Sequence, residues 1–257
     1  MKQGVDTFYV GAYWASRMES ADECARRLED FLSSLVQVDE SFSHWFRLVP
    51  PPGIRISDPD SLRKSRGKWT RREVAVDRVE LSKVIAQGRY LAESDGSVIH
   101  RLGYDISLVS RDGAHELGGL TVHCGAYDGQ TPNNSILTLP HTGSDSSRYL
   151  HQKTLVKVME STVRAWHPSW AVATSDEYRN ALGESNPGCF VGWITYLNTT
   201  IARLPSLPPP SHSLGLLNGS LVVLARERPD PKSVSHVEQG QALSAVLRKA
   251  GLLHPII

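Results

Sequence analysis

The first forty residues place a strand pattern directly before a helix pattern, and this pairing restricts the folds available to the chain. Residues 7–14, TFYVGAYW, alternate and are rich in aromatic and β-branched side chains, which is typical of a strand. Ser20 and Glu23 then match the capping box S-x-x-E at a helix start. Apolar side chains follow at helical spacing, namely Cys24, Leu28, Phe31, Leu32 and Leu35. The sequence predicts a strand followed by a long amphipathic helix, with Cys24 in the core.

The same two patterns recur along the rest of the chain. Helical spacing returns at 79–92, 148–166 and 233–250, and the aromatic cluster at 41–48 predicts a further short helix. Strand patterns are found at 73–77, 97–109, 116–127, 134–139, 170–174, 189–197 and 219–226. Asp-Gly dipeptides separate the central strand patterns and favour tight turns between them. We therefore expect an α+β protein, with antiparallel sheets covered by long amphipathic helices.

A polar stretch near the middle of the chain predicts a division into two parts. Residues 140–147, PHTGSDSS, interrupt the alternation of strand and helix patterns. A chain of 257 residues allows one large domain or two packed halves. We expect two closely packed α+β halves, 1–142 and 143–257, with one continuous domain as the alternative.

Charge and cysteine content bear on partners and compartment. The chain has 28 Lys and Arg against 27 Asp and Glu, whereas proteins that bind nucleic acid non-specifically usually carry excess cations. Three cysteines without C-x-x-C spacing are typical of reduced cytosolic thiols. No signal peptide and no run of about 18 apolar residues is visible. We expect a soluble, cytoplasmic protein that binds neither nucleic acid nor membranes directly.

Motifs for catalysis are missing or incomplete. The P-loop, G-x-G-x-x-G and G-x-S-x-G do not occur, and HELGG at 115–119 lacks the second histidine of the zinc motif H-E-x-x-H. The run DPK at 230–232 matches a nuclease motif in three letters only. His123 and Cys124 are neighbours in a strand pattern, so they point to opposite faces and cannot form a dyad. We expect no enzymatic activity, catalytic residue, metal or cofactor, with a metal-dependent nuclease or hydrolase and a non-catalytic secretion-system adaptor as alternatives.

Aromatic residues beside small ones suggest close packing of strands. The motifs GAYW, WHPSW and GWITYL each combine tryptophan with small or turn-forming residues. Glycine beside large rings lets neighbouring strands approach closely. We therefore expect four tryptophans to be mainly structural: Trp14, Trp166, Trp170 and Trp193.

Several of these segments resemble the immunity protein 52 family of bacterial polymorphic toxin systems. They are FYVGAYWASRMESADECARRL, HCGAY, WHPSWAVATS, GWITYL and HVEQGQALSAVLRKAGLL, in this order between about residues 8 and 253. The resemblance implies a non-enzymatic antidote that binds and neutralises a cognate toxin, such as a type VI secretion effector, and so protects the producing cell. It also implies that this toxin has a restriction-endonuclease-like nuclease domain. It assigns no toxin-binding surface.

Two charged segments are candidates for contact with a toxin. The segment 175–187, SDEYRNALGESNP, is predicted as a loop whose acidic groups suit the cationic cleft of a nuclease. Its candidate contact residues are Asp176, Glu177, Tyr178 and Glu184. The loop 58–72 instead suits an acidic patch through Arg63, Arg66, Trp69 and Arg71. We favour the acidic segment, because charge complementarity to a nuclease is the simpler mechanism.

Overall fold

The computed structural model describes residues 6–51, 68–112, 115–139, 146–184, 188–216 and 218–254. Within these ranges ten strands join in one antiparallel sheet on which helices pack, which confirms the mixed α+β class. The strands are β1 Phe8–Trp14, β2 Trp45–Val49, β3 Thr70–Val74, β4 Tyr104–Asp112, β5 His115–Cys124, β6 Asn133–Leu139, β7 Trp170–Ser175, β8 Ile194–Leu197, β9 His212–Leu216 and β10 Gly219–Val223. The α-helices are α1 Ala21–Val38, α2 Arg78–Gln87, α3 Ser146–Tyr149, α4 Gln152–Trp166, α5 Asp176–Ala181 and α6 Val234–Lys249.

The first strand of the chain lies inside the sheet, whose order is β3-β2-β4-β5-β6-β1-β7-β8-β10-β9. β1 pairs antiparallel with β6 on one side and with β7 on the other. The described strands of 1–142 all lie on the β6 side or in β1 itself, and those of 143–257 lie on the β7 side. The hydrogen-bonded sheet thus crosses the predicted boundary without a break, and the division into two halves stays a prediction.

Alternate side chains of β1 enter two different apolar clusters, as a strand with both faces buried requires. Phe8, Val10 and Trp14 pack with α1 and α4, and the Trp14 ring stacks on Trp166 with 5.2 Å between centroids. Tyr9 instead joins a second cluster with α5 and α6 on the opposite face. All four tryptophans expected to be structural are at most 3% exposed, which confirms that they lie in the core.

The predicted helix after β1 is confirmed together with its cap. The Ser20 side chain accepts a hydrogen bond from the Glu23 backbone, and the Glu23 carboxylate accepts one from the Ser20 backbone. The apolar stripe of α1 is buried and includes Cys24, which lies close enough to Cys124 to form a hydrogen bond. This contact and complete burial raise the pKa of the Cys124 thiol well above its usual value. Both thiols are free and inert core groups.

The short helix predicted at 41–48 is wrong. The chain forms a 3₁₀ turn at Glu40–Ser43 and then enters β2, because pairing with β3 and β4 outweighs the local helical spacing. Phe42 and Trp45 still pack together, with the Trp45 indole donating to the Phe42 carbonyl at 2.8 Å. The sequence spacing of Phe42 and Trp45 therefore reflects a 3₁₀ turn that leads into β2 and not a helix.

The loop predicted at 175–187 also differs from the structure. Ser175 ends β7 and caps α5, its hydroxyl accepting a hydrogen bond from the Tyr178 backbone at 3.2 Å. The structure describes this segment up to residue 184, and 185–187 lie outside the described residues. The helix begins immediately after the strand because the serine serves both elements. β9, a strand at the sheet edge, was not among the predicted strands.

A partly buried ion network joins the start of α1 to the end of α4. The Glu19 side chain is 7% exposed and pairs with Arg17 at 2.9 Å and with Arg27 at 2.6 Å. The two guanidinium groups donate to the carbonyls of Trp166 and Ala165, which are orphan acceptors at a helix end. Glu19 therefore holds two cations at the negative end of the α4 dipole.

Among the described residues no helix is both long and apolar enough to cross a bilayer.

Replacing Glu19 should destabilise the fold measurably. We expect Glu19→Gln to lower the free energy of unfolding by about 2–4 kcal/mol, because it leaves two partly buried cations without their counter-charge. Chemical denaturation followed by tryptophan fluorescence measures the loss. The matched control is Asp22→Asn, which removes an exposed ion pair with Arg78 and should change stability little. Equal effects of the two substitutions would contradict the proposed role of Glu19.

Candidate functional site

The described helices cover the two faces of the sheet unequally. α1, α2 and α4 pack on one face, and α5 and α6 cover only the part of the other face that includes β7, β8 and β10. Over β2, β4, β5 and β6 this second face is left uncovered by the described helices, and Leu48, Ser107 and Thr121 are exposed there. We call this surface the open face. Its residues are Phe46, Leu48, Asp105, Ser107, Val109, Thr121, His123, Asn134, Ile136 and Thr138.

The open face combines apolar and polar side chains in aligned rows. Ser107, Thr121 and Ile136 lie directly opposite one another on three successive strands. Phe46 and Val109 form another such pair, and both are partly buried. Leu48 is 46% exposed at the outer end of the surface. Non-obligate protein–protein interfaces have a mixed composition of this kind.

A hydrogen-bonded cluster of three side chains lies at one end of the open face. Asp105 and His123 are register partners on β4 and β5, and Asp105 Oδ1 lies 2.8 Å from His123 Nδ1. The Tyr90 hydroxyl donates to the other carboxylate oxygen of Asp105. The Tyr90 and His123 rings meet edge to face with 6.0 Å between centroids. Two donors, one on β5 and one in the segment that follows α2, therefore fix the position of one carboxylate.

The electrostatics keep this carboxylate ionised. Partial burial would raise the pKa of Asp105, but hydrogen bonds from His123 and Tyr90 outweigh it and hold the pKa below its ordinary value. Burial, together with the hydrogen bond to Asp105, raises the pKa of Tyr90 and keeps its hydroxyl protonated as a donor. The Asp105 side chain is 52% exposed, whereas His123 is buried and its Nε2 has no hydrogen-bond partner. The cluster holds the Asp105 carboxylate in one position with part of its surface open to solvent.

The four acidic-segment residues fall into two groups. Asp176 and Glu177 are exposed in the first turn of α5, and the Glu177 backbone donates to Asp6 at 3.0 Å. Tyr178 is 2% exposed, and its hydroxyl donates to the His236 carbonyl at 2.7 Å.

Glu184 is likewise engaged within the protein. Its carboxylate forms an ion pair with Arg248 at 2.6 Å and accepts a hydrogen bond from Ser244 at 3.0 Å, both on α6. Tyr178 and Glu184 therefore tie the segment to α6, while Asp176 and Glu177 are the members that a partner can reach.

α5 lies at the border of the open face. The charge of Asp176 reaches both tyrosines of β1, Tyr9 and Tyr13. Burial is the main reason that the pKa of each tyrosine is raised; Asp176 adds to the rise and Arg179 opposes it. The start of α5 lies beside β1, since the Asp176 backbone donates to the Thr7 carbonyl, and β1 is the neighbour of β6. The acidic start of α5 therefore extends the open face on the side of β6.

The described end of the basic candidate segment, residues 68–72, lies at the other side of the sheet. Arg63 and Arg66 fall outside the described residues, whereas Trp69 is partly buried and directly precedes the edge strand β3. β3 and β7 are separated by six strand spacings, or about 29 Å. The structure does not bring Trp69 and Asp176 together, and the open face lies between them. The sequence does contain a signal for the open face, because polar positions alternate with apolar ones along β4 and β5. The polar positions are Asp105, Ser107, Thr121 and His123.

The described part of the chain offers no metal centre. No group of three or more His, Cys, Asp or Glu side chains within it is arranged to hold a metal ion. His123 and Cys124 do point to opposite faces, as strand alternation predicts, so the histidine meets Asp105 and the thiol meets Cys24. The described geometry around Asp105 favours binding of a cationic group.

The Tyr90 hydroxyl should control the ionisation of Asp105. We expect Tyr90→Phe to raise the pKa of Asp105, because the carboxylate loses one of the two hydrogen bonds that favour its charged form. Carboxyl chemical shifts followed by NMR during a pH titration measure this change. Tyr127→Phe, at an exposed tyrosine outside the cluster, is the matched control and should leave the titration of Asp105 unchanged. An unchanged Asp105 pKa in Tyr90→Phe would show that this bond does not hold the carboxylate.

Comparison with known proteins agrees with the resemblance seen in the sequence. The family model described as immunity protein 52 matches residues 6–256. A solved structure, the Pseudomonas aeruginosa T6SS protein PA0821, is similar over 96% of this chain and 76% of its own, with a TM-score of 0.52 and 13% sequence identity. At that identity the likeness establishes a shared fold. A search of curated proteins gives no match. The match over nearly the whole length shows that this chain belongs to the immunity protein 52 family.

Proposed function

We propose that this protein binds and neutralises a cognate toxin delivered by a type VI secretion system, and thereby protects the cell that produces it. The observation that carries the proposal is the immunity-family match over residues 6–256. The similar fold of a P. aeruginosa T6SS protein supports the same setting. Following the family resemblance, the toxin has a restriction-endonuclease-like nuclease domain.

Acidic surface groups support inhibition by direct contact with such a domain. A nuclease binds phosphates through cationic side chains, which attract carboxylates of an inhibitor and speed association. Asp176 and Glu177 are adjacent, exposed and carried by the start of a helix that Ser175 caps. The chain has no large excess of cations to attract nucleic acid, which supports action on the toxin rather than on the nucleic acid that the toxin cleaves.

The proposal places this action in the cytoplasm and requires no cofactor or metal. Three free, buried cysteines suit a reducing compartment. A metal-dependent hydrolase and a non-catalytic secretion adaptor are the competing functions, and each gives a different outcome in the experiment below.

The protein should form a tight complex with the toxin encoded in the neighbouring reading frame. We expect co-elution at micromolar concentration with a catalytically inactive toxin variant, and rescue of growth when the active toxin is co-expressed. An immunity complex must outlast cellular turnover, so a Kd near the nanomolar range, about −12 kcal/mol, is expected. An adaptor would bind without rescuing growth. Chelator-sensitive nuclease activity of the purified protein alone would contradict the proposal and favour a hydrolase.

Charge reversal tests the two sequence-derived contact segments. We expect Asp176→Lys with Glu177→Lys to weaken toxin binding at least ~10-fold, mainly through a slower association rate. Arg63→Glu with Arg66→Glu should have the smaller effect.

Binding kinetics with purified components measure both double variants. The matched control reverses Glu29 and Asp30, another adjacent acidic pair, which α1 carries on the other face of the sheet. Thermal unfolding of every variant checks the fold. Unchanged affinity in both double variants would place the toxin interface elsewhere.

A further inference from the structure

We infer that the open face is the surface on which the toxin docks, and that Asp105 is its anionic anchor, receiving an arginine or lysine of the partner. This inference rests on the proposed toxin-binding function and names the surface and the partner chemistry for it. The partner is a folded protein domain, the toxin, that presents a basic side chain to Asp105. The inference is carried by the size of the face, its composition and the clamped carboxylate.

The size of the surface suits one side of a stable interface. The four strands β2, β4, β5 and β6 span about 19 Å at ~4.8 Å for each strand, and strands of five to ten residues run about 17–33 Å. This gives a projected area on the order of 500 Å². A standard interface buries about 800 Å² on each partner. The exposed start of α5 extends the open face toward that value.

The composition suits a partner that binds by contact with rigid side chains. Ser107 and Thr121 are exposed at the centre, beside the partly buried Val109 and Ile136. Short and β-branched side chains lose little rotamer entropy when a partner covers them. Their backbone is already fixed by ladders on both sides, since β4 and β5 are interior strands. Little ordering is therefore required when the face is buried.

Asp105 is prepared to accept a cation. A carboxylate offers about four acceptor sites, and His123 and Tyr90 occupy one on each oxygen, which leaves sites for a bidentate arginine or a lysine. The side chain is 52% exposed, so a partner reaches it without moving the clamp. Because both donors hold it in place, binding does not require it to be ordered again.

The carboxylates near the face are concentrated at Asp105 and at the start of α5. On the open face, β3 and α5, the described carboxylates include Asp105, Glu73, Asp176 and Glu177. On β3 the cations Arg71, opposite Leu48 on the open face, and Arg72 offset Glu73. Beside α5, the Arg179 guanidinium stacks over Phe190 at 4.7 Å and donates to the Glu184 carbonyl. This arrangement leaves Asp105 and the start of α5 as carboxylate positions on opposite sides of the exposed Ser107 and Thr121.

The edge strands are less suited to docking. Edge β3 carries Arg71, Arg72 and Glu73 in succession, and charged edges resist pairing with a further strand. The experiment must therefore distinguish docking on the open face from docking on β3 or on the helix-covered face of the sheet.

The test uses the full-length protein with the catalytically inactive toxin. Thr121→Arg places a bulky cation at the exposed centre of the face, and we expect at least ~100-fold weaker binding. Asp105→Asn should weaken binding ~10-fold or more and reduce the salt dependence of the association rate. Ser33→Arg on α1 is the matched control for bulk and charge, and Asp22→Asn is the control for loss of a hydrogen-bonded carboxylate. Both controls should stay within about three-fold of the wild-type affinity.

The outcomes separate this inference from the proposed function. If the wild-type complex forms and both open-face variants, folded by thermal unfolding, bind as tightly as wild type, the docking inference is overturned while the immunity function stands. If Ser33→Arg alone abolishes binding, the toxin docks on the helix side and the inference is also overturned. If the wild-type protein forms no complex, the proposed function fails and this inference fails with it. Thr121 is an exposed position, so its variant remains informative even if Asp105→Asn perturbs the cluster.

Discussion

The fold depends on the two hydrogen-bonded ladders of β1. Phe8–Trp14 pairs with β6 along one edge and with β7 along the other, so the first strand of the chain joins its early strands to its late ones. Its side chains enter both apolar clusters, with Trp14 stacked on Trp166 and Tyr13 stacked on Trp170. Without β1 the sheet would divide into two smaller sheets, each with a newly exposed edge. Both apolar clusters would also lose the β1 side chains that they contain.

The unequal covering of the sheet follows from this arrangement. α1, α2 and α4 seal one face along most of its length, and α5 and α6 seal the second face only beyond β1. A domain of this size obtains its stability from the sealed regions, so β2, β4, β5 and β6 keep their places without a second layer among the described residues. The uncovered strands are rigid because their neighbours fix them, and that rigidity suits recognition.

Local patterns in the sequence predict the elements better than they predict the site. Ser20 and Glu23 specify the start of α1 because a capping box is a contact between neighbours in sequence. The helix expected around Phe42 and Trp45 fails because long-range pairing with β3 and β4 decides that segment.

The site itself depends on long-range register. Strand alternation correctly separates His123 from Cys124. The pairing of His123 with Asp105 requires knowing that two strands eighteen residues apart are aligned at those positions. Which face stays uncovered depends in turn on where α5 and α6 pack, and the spacing of apolar residues does not report that.

The alternation of the open face also separates recognition from folding. Ser107 lies between the buried Ile106 and Leu108, and Thr121 lies between the buried Leu120 and Val122. Substitutions at the outward positions change what a partner meets, while the inward residues continue to hold the sheet against α1 and α2. The acidic segment shows the same separation, since Tyr178 and Glu184 fasten α5 to α6 and leave Asp176 and Glu177 outside. If the toxin docks as proposed, substitutions at these exposed positions change toxin specificity one side chain at a time without altering the core.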